Sequence, residues 1–255
     1  MQILIAIALL GGLGLIFGLV LAAASKVFYV ETDPRLDALN ECLPGANCGG
    51  CGYAGCGAYA EAVLNGEAPI GACASGGNEC AQKMSAIMGV KAEAVTRKVA
   101  LVRCSGVREY DKDGNLVKGA KVKANYEGFK DCLAASKVGG SGPLACKCGC
   151  LGYGTCTKAC KYGAISVKNG VAVVDEDLCV GCMACASVCP RNLIVPVEPN
   201  RNVVIACNSM AKGAATTRAC TVGCIGCGLC KKICPNGAIT VANNIARIDY
   251  SKCKH

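Results

Sequence analysis

The sequence has very few of the residues that usually build a hydrophobic core or a catalytic site. It contains no tryptophan, three phenylalanines and a single histidine, His255, and aromatic residues make up 4% of the chain. Aromatic packing therefore supplies little of the folding free energy, and catalysis by an internal histidine is excluded. The sequence also has no P-loop, and no G-x-G-x-x-G motif follows a predicted strand as a nucleotide-binding site requires. Metal ligation is the remaining source of folding free energy for such a chain.

Cysteine and glycine are abundant instead, with 24 and 33 residues among 255. Most of the cysteines are separated by two or three residues, which is typical of shared metal ligands and not of disulfide frameworks in short secreted proteins. A zinc-stabilised scaffold is an alternative, but a structural zinc site uses two C-x2-C pairs or adds histidine. The pattern therefore favours [4Fe-4S] clusters bound by cysteine.

The formal net charge of +9 would ordinarily indicate nucleic acid or an anionic surface as a partner. That charge treats every cysteine as neutral. A [4Fe-4S] cluster with four thiolates carries roughly −2 when oxidised, so about five clusters would cancel the excess. We therefore expect no nucleic-acid partner.

The N-terminal segment from Ile3 to Ala24 contains no charged residue. Because about 20 apolar residues are enough for a helix to cross a bilayer, the segment predicts a transmembrane helix. A cleaved signal peptide is the alternative, since three alanines end the stretch, but no basic residue precedes it. Lys26 follows the stretch, so the positive-inside rule predicts a single-pass protein of the cell (inner) membrane, with the bulk of the chain on the cytoplasmic side.

A first cysteine motif lies between residues 40 and 90, with the spacing C-x2-C-x4-C-x16-C. Thiolates bind iron, and glycines between them let backbone N–H groups approach the cluster sulfides. Cys42 and Cys80 flank the motif without a recruiting spacing, and we expect them to be free thiols. Short helices are expected at 58–64 and 82–88. The predicted cluster ligands are Cys48, Cys51, Cys56 and Cys73.

The predicted membrane helix, followed by Leu-Pro-Gly-Ala-Asn-Cys-Gly-Gly-Cys-Gly-Tyr-Ala-Gly-Cys at 43–56, resembles the B-subunit of the Rnf complex. That complex is a ferredoxin:NAD oxidoreductase that couples electron transfer to ion pumping. The resemblance implies an electron-carrying subunit of an oxidoreductase complex, without a protein-based catalytic site. It also implies soluble ferredoxin as the electron donor, and partner membrane subunits that bind flavin and NAD and translocate ions.

An internal repeat organises the rest of the chain. Cys146, Cys150, Cys156 and Cys160 recur with the same spacing as Cys220, Cys224, Cys230 and Cys234. Each set is followed by two alternating apolar strands around Asn169-Gly170 or Asn243-Asn244, which predict hairpins. This is the layout of bacterial two-cluster ferredoxins.

These patterns together predict an α+β fold with five segments. We expect a transmembrane anchor at 1–29, a small helical [4Fe-4S] domain at 30–95 and a hairpin-containing segment with extra cysteines at 96–145. Tandem ferredoxin-like repeats of the 2[4Fe-4S] type follow at 146–206 and 207–255, the second of them incomplete.

In bacterial ferredoxins the fourth cysteine of each run ligates the other cluster, so the ligands cross. The first repeat then predicts one cluster bound by Cys160, Cys179, Cys182 and Cys185. Tyr153 stands where the second repeat has Cys227, which leaves Cys146 or Cys148 to complete the other cluster, and we favour Cys146. The predicted set for that cluster is Cys146, Cys150, Cys156 and Cys189.

The second repeat ends inside its motif. Cys253 aligns with Cys179, so the repeat predicts further cysteines after His255, and we expect a longer natural chain with five or six clusters, three of them with full ligand sets here. His255 as a ligand is one alternative. A cluster with an open coordination site, as in a reductive activator or reductase, is another. The predicted ligands of this repeat are Cys224, Cys227, Cys230, Cys234 and Cys253.

Four cysteines remain outside any run: Cys104, Cys132, Cys207 and Cys220. They either bind an additional cluster from distant segments or are buried as small apolar side chains. An Asp113-Gly114 turn predicts a hairpin between residues 107 and 122 that brings Cys104 and Cys132 together.

Overall fold

The computed structural model describes residues 2–27, 33–91, 96–201 and 203–254. Its helices are α1 (Gln2–Val27), α2 (Pro34–Glu41), α3 (Cys56–Leu64), α4 (Gly77–Met88), α5 (Cys132–Ser136), α6 (Thr155–Ala159), α7 (Ala184–Ser187), α8 (Gly213–Ala219) and α9 (Leu229–Ile233). Its strands are β1 (Val99–Val102), β2 (Glu109–Tyr110), β3 (Leu116–Lys118), β4 (Ile165–Lys168), β5 (Val171–Val174), β6 (Ile194–Val197), β7 (Ile239–Ala242) and β8 (Ile245–Ile248).

Helix α1 covers the apolar N-terminal segment. Among the residues that the structure describes, no helix is both long and apolar enough to cross a membrane. The prediction of a transmembrane helix at 1–29, and the fold class that included it, is therefore wrong.

Helices α2 to α4 form a small domain around one apolar core. Leu39, Tyr59 and Met84, one from each helix, are fully buried there. The Tyr59 hydroxyl donates to the Pro69 carbonyl at 2.9 Å and accepts the Ala72 N–H at 3.2 Å. A core residue thus holds the loop that carries Cys73. The helices predicted at 58–64 and 82–88 are confirmed within α3 and α4.

Both predicted hairpins of the internal repeat are confirmed. Strands β4 and β5 pair antiparallel, and so do β7 and β8. The turn residues all have positive φ, with Asn169 at 46°, Gly170 at 78°, Asn243 at 50° and Asn244 at 61°. Two-residue hairpin turns of type I′ require positive φ at both positions, and asparagine and glycine adopt it most readily.

A third strand pair has no counterpart in the sequence pattern. Strand β1 pairs antiparallel with β6, so that Val99 lies opposite Val197 and Val102 opposite Ile194. This pair joins the segment after the N-terminal domain to the core of the first repeat, where Val99 and Leu193 are almost completely buried.

The segment between the N-terminal domain and the repeats contains the predicted hairpin of β2 and β3. Asp111 closes its turn by accepting the N–H groups of Asp113 at 3.0 Å and Asn115 at 2.8 Å. Beyond the hairpin, Ala120 forms a β-bridge to Cys220. The chain therefore runs from the hairpin directly onto the start of the second repeat.

Candidate iron-sulfur sites

All 24 cysteines are free thiols. In the part of the chain with described positions, no three Cys, His, Asp or Glu side chains converge closely enough to hold a single metal ion. Seventeen of the cysteines instead line four cavities in that part, which we name sites A, B, C and D. An arrangement around a cavity is what a cluster with four separate iron corners requires.

Site A is in the N-terminal domain, and Cys56 at the start of α3 illustrates how its residues are positioned. The Cys56 N–H donates to the Asn47 side-chain oxygen at 2.8 Å, and Asn47 itself has a φ of 45°. The loop is thereby curled around the cavity. The site is lined by the four predicted cysteines, Cys48, Cys51, Cys56 and Cys73, together with Cys182 from the first repeat.

Cys80 lies behind site A, against one of its lining cysteines. It is 4% exposed, and its hydrogen bond to Cys73 lowers the pKa of Cys73 to about 6, while the same bond raises the pKa of Cys80. Cys42 packs against the same core. Neither Cys42 nor Cys80 lines the cavity, which agrees with the expectation that they are not ligands.

Site B brings together all four cysteines of one predicted set: Cys160, Cys179, Cys182 and Cys185. The Ala100 N–H, on β1, donates to the Cys179 sulfur at 3.4 Å. Burial raises the pKa of Cys185 to about 11. The Tyr162 hydroxyl at this site is buried beside the Ser75 side chain, and no hydrogen bond of normal geometry satisfies it among the described residues. A cluster sulfur at the site would accept that hydrogen bond, so the residues present fit a cluster.

Sites A and B share a wall. Cys182 lines both cavities, and Gly50 of site A lies so close to it that an added Cβ would be 2.5 Å from the Cys182 carbonyl oxygen. The Lys161 ammonium, just after α6, also donates to the Ala46 carbonyl oxygen. The N-terminal domain is therefore docked on the first repeat through the cysteine loops themselves.

Site C contains three of the predicted cysteines and one from outside the repeat. It is lined by Cys132, Cys150, Cys156 and Cys189. Cys132 is held by Thr155, whose hydroxyl accepts the Cys132 N–H at 2.7 Å and donates to Asp131 at 2.7 Å. The Ala172 N–H donates to the Cys150 sulfur at 3.5 Å, and burial raises the pKa of Cys156 to about 12.

The cysteine that completes site C therefore differs from the one favoured by the sequence. The structure places Cys132 there and Cys146 at another cavity. The repeat contains no signal for Cys132, because this residue precedes the repeat and has no equivalent in the second copy. The Asp131 cap on α5 is the one local signal, and it predicts a helix start without predicting a ligand.

Two short helices connect sites B and C. Helix α6 carries Cys156 of site C, and Cys160 of site B follows it. Helix α7 carries Cys185 of site B, and Cys189 of site C follows it. This is the crossed arrangement that the sequence predicts for the first repeat.

Site D lies between the two repeats, and five cysteines line it: Cys104, Cys146, Cys148, Cys207 and Cys220. The sequence groups three of these into an additional cluster together with Cys132, which is at site C instead. Site D adjoins site C, because the Cys150 N–H donates to the Cys104 sulfur at 3.3 Å.

The cysteines of the second run are closer to solvent. Cys227 and Cys230 are exposed, whereas Cys224, Cys234 and Cys253 are half-buried. His255, the alternative ligand, lies outside the described residues. The ligand roles predicted for this run remain predictions.

Comparisons with known proteins identify iron-sulfur domains in three ranges of the chain. Residues 43–75 match the FeS family of Fe-S cluster domains, and residues 172–195 and 223–240 match the 4Fe-4S binding domain. The B-subunit of the Na⁺-translocating ferredoxin:NAD⁺ oxidoreductase complex of Acetobacterium woodii is 44% identical over 253 residues, covering 99% of this chain and 73% of that protein.

Two further relatives are similar over most of their length. The B-subunit of the proton-translocating ferredoxin:NAD⁺ oxidoreductase complex of Clostridium ljungdahlii is 44% identical over 94% of this chain and 82% of its own. The B-subunit of the ion-translocating oxidoreductase complex of Methanosarcina acetivorans is 38% identical over 97% of this chain and 90% of its own length.

Proposed function

Because the chain belongs to the B-subunit family of ion-translocating ferredoxin:NAD⁺ oxidoreductase (Rnf) complexes, we propose that it relays single electrons from reduced ferredoxin through sites A, B and C. The chain is an electron-transfer iron-sulfur subunit of such an enzyme complex. Its own contribution is to hold cofactors and to set their environment. Similarity to Rnf-type complexes supports the assignment of NAD reduction and ion translocation to other subunits.

Each of the three sites offers four thiols to one [4Fe-4S] cluster, and such a cluster supplies reversible one-electron exchange. We assign Cys48, Cys51, Cys56 and Cys73 to site A; Cys160, Cys179, Cys182 and Cys185 to site B; and Cys132, Cys150, Cys156 and Cys189 to site C.

Continuity between the sites is the observation that carries this proposal. Cys182 lines both site A and site B. Helix α6 carries a thiol of site C and is followed by a thiol of site B, and helix α7 carries a thiol of site B and is followed by a thiol of site C. A structural metal protein has no need for adjoining sites. A relay requires them, because an electron must pass between neighbouring cofactors.

The protein also controls the environment of each site. Val102, Leu193 and Ile194 line site C with apolar surface, which limits access of water. Backbone N–H groups from Ala100 and Ala172 point at the sulfurs of Cys179 and Cys150. Hydrogen bonds to sulfur and exclusion of solvent are the means by which a protein sets cluster potentials.

The partners follow from the same proposal. Reduced ferredoxin is the donor, and the acceptors are the NAD- and flavin-binding and ion-translocating subunits of an Rnf-type complex. Ion translocation takes place across a membrane, so the chain works at the membrane through these subunits.

Anaerobic purification of the full chain, followed by iron and sulfide analysis, tests the proposal. We expect at least about twelve irons per chain for three clusters, and EPR signals of reduced clusters after mixing with reduced ferredoxin. At most one cluster per chain, or zinc in place of iron in protein from cells grown without oxygen, would overturn the relay.

A further inference from the structure

Site D is not accounted for by the sequence families that match the chain. The matched ranges are 43–75, 172–195 and 223–240, and the five cysteines of site D lie outside all of them. It is also the cavity at which the two repeats meet, since Cys146 precedes the first cysteine run and Cys220 the second.

The chain segments around site D are held together by backbone hydrogen bonds. The Ser105 N–H donates to the Ala206 carbonyl at 2.9 Å, and the Lys121 N–H donates to the Ala219 carbonyl at 2.9 Å. Arg247, on β8, donates to the Cys207 carbonyl at 3.2 Å. Cysteines from distant parts of the sequence are therefore fixed around one cavity by the fold and not by local spacing.

A backbone N–H group points at one sulfur of this site. The Cys104 sulfur accepts the Cys150 N–H at 3.3 Å. Buried cysteines that only fill space have no need of such donors, whereas cluster thiolates carry negative charge and are stabilised by them.

A glycine leaves room between two of the sulfurs. A Cβ added at Gly149 would be 3.3 Å from the Cys146 sulfur and 3.9 Å from the Cys104 sulfur. Close approach of backbone to a cluster requires glycine at such positions. The donors are four or more soft thiols without histidine or carboxylate, which selects iron-sulfur chemistry over magnesium or calcium.

We propose that site D binds a further [4Fe-4S] cluster through Cys104, Cys146, Cys207 and Cys220. Cys148 is not a ligand in this assignment. Cys146 is favoured over Cys148 because the sulfurs of Cys146 and Cys104 both lie within 4 Å of the position of a Cβ added at Gly149. The inference rests on the proposed relay and extends it.

The position of site D, between site C and the second repeat, determines its role in the electron relay. It adjoins site C through Cys104 and Cys150, and it adjoins the second repeat through Cys207 and Cys220. A cluster held at site D by its four cysteines would accept one electron from a reduced cluster at site C, which would return to its oxidised state. The site thereby joins the clusters of the two repeats.

Iron analysis of the full chain tests the assignment. We compare the wild type with Cys104→Ser/Cys207→Ser, Cys146→Ser and Cys148→Ser, and use Cys42→Ser as a matched thiol control outside every cavity. The double variant and Cys146→Ser should each lose about four irons and four sulfides, whereas Cys148→Ser and Cys42→Ser should lose none. EPR signals of the clusters at sites A to C, retained in each variant, verify that it is folded.

The outcomes separate this inference from the relay itself. An unchanged iron content in the double variant, with the wild type carrying three or more clusters, would refute the cluster at site D and leave the relay intact. Loss of iron from Cys148→Ser but not from Cys146→Ser would refute the ligand assignment. A wild-type chain with at most one cluster would refute the proposed function.

Discussion

The Tyr162 hydroxyl lies between the first two sites, buried beside the Ser75 side chain, and no hydrogen bond of normal geometry satisfies it in the described structure. Thiols of both sites, Cys48, Cys182 and Cys73, are near enough to act on its charge. A hydroxyl that donates to a cluster sulfur stabilises the reduced, more negative state. We therefore expect Tyr162→Phe to lower the reduction potential of a cluster at site A or B without any loss of iron.

Redox titration followed by EPR measures this shift. Tyr250→Phe is the control, because the Tyr250 hydroxyl donates to the Val203 carbonyl at 3.3 Å instead of facing a cluster site. If Tyr162→Phe leaves every potential at its wild-type value, the hydroxyl does not contact a cluster.

Single residues also mark the limit of what the sequence predicts about the sites. Cysteines with short spacing, such as those of sites A and B, are grouped in the structure as the sequence predicts, because neighbouring positions in a loop must lie together. Cys132 could not be assigned, because its place depends on the hydrogen bond to Thr155, a contact between segments that are separate in the sequence.

The placement of Cys132 instead of Cys146 at site C can be tested directly. Cys132→Ser should remove the cluster of site C, whereas Cys146→Ser should leave that cluster in place, because Cys146 lines a different cavity. The EPR spectrum of the reduced protein distinguishes the two variants, since each should lack a different signal. Identical spectra would contradict the separation of the two cavities.

A substitution at Thr155 tests the same site while leaving its cysteines in place. Thr155→Val removes the hydroxyl that accepts the Cys132 N–H and donates to Asp131, at a cost of about 1 kcal/mol for each of the two lost hydrogen bonds. We expect faster loss of iron from site C to a chelator, measured as a decrease in visible absorbance. Thr155→Ser keeps the hydroxyl and should behave as the wild type; equal rates for both variants would show that the contact does not matter.

At the scale of elements, the same packing contact occurs within each repeat and explains why glycine recurs at equivalent positions. Gly152 has a φ of 79°, and an added Cβ would lie 2.5 Å from the carbonyl oxygen of Gly170 in the first hairpin turn. Gly226 has a φ of 68°, and its Cβ would lie 2.6 Å from the carbonyl oxygen of Asn244 in the second. Each hairpin turn thus packs on the loop before the helix that carries cluster cysteines.

Gly152→Ala should therefore destabilise the first repeat in two ways, by the left-handed backbone and by the clash with the turn. We expect a loss of about 2–5 kcal/mol, from about 1–2 for the backbone and about 1–3 for overpacking. Gly163→Ala is a matched control, because Gly163 has a φ of 64° and open space around it. Thermal unfolding should show the larger loss for Gly152→Ala, and equal losses would exclude the packing contact.

The elements that the sequence predicted are those encoded locally. Hairpins β4–β5 and β7–β8 follow from alternating strands around Asn-Gly and Asn-Asn, whose turn geometry is a property of two residues. The β1–β6 pair was not predicted, since its strands are distant in sequence and neither flanks a turn. Helix α1 forms, but the predicted membrane span is not supported within the described residues.

On the scale of the whole molecule, the sites form one series in which each adjoins the next. Site A meets B at Cys182, B meets C across α6 and α7, and C meets D at Cys104. In such a series, slow electron transfer between one pair of sites limits electron transfer to all later sites. The contact between sites A and B is the easiest to weaken, because it depends on the docking of two separate domains.

Gly50→Ala tests that junction while leaving every cysteine in place. The added Cβ would lie 2.5 Å from the Cys182 carbonyl oxygen and 3.1 Å from its carbonyl carbon, and backbone cannot move aside as a flexible side chain would. We expect docking of the two domains to weaken by about 1–3 kcal/mol. Iron content should stay at the wild-type value, while electron exchange between sites A and B slows.

Rapid-freeze EPR after mixing with reduced ferredoxin measures that exchange. Gly57→Ala is the control in the same domain, since its Cβ would have its nearest neighbour, the Asn40 side-chain oxygen, at 3.9 Å. In the control all clusters should become reduced at wild-type rates. In Gly50→Ala, clusters on one side of the junction should be reduced first and the others late, and the side that is reduced first identifies where ferredoxin binds. Uniform reduction at the wild-type rate would mean that electrons do not pass through the contact between Gly50 and Cys182.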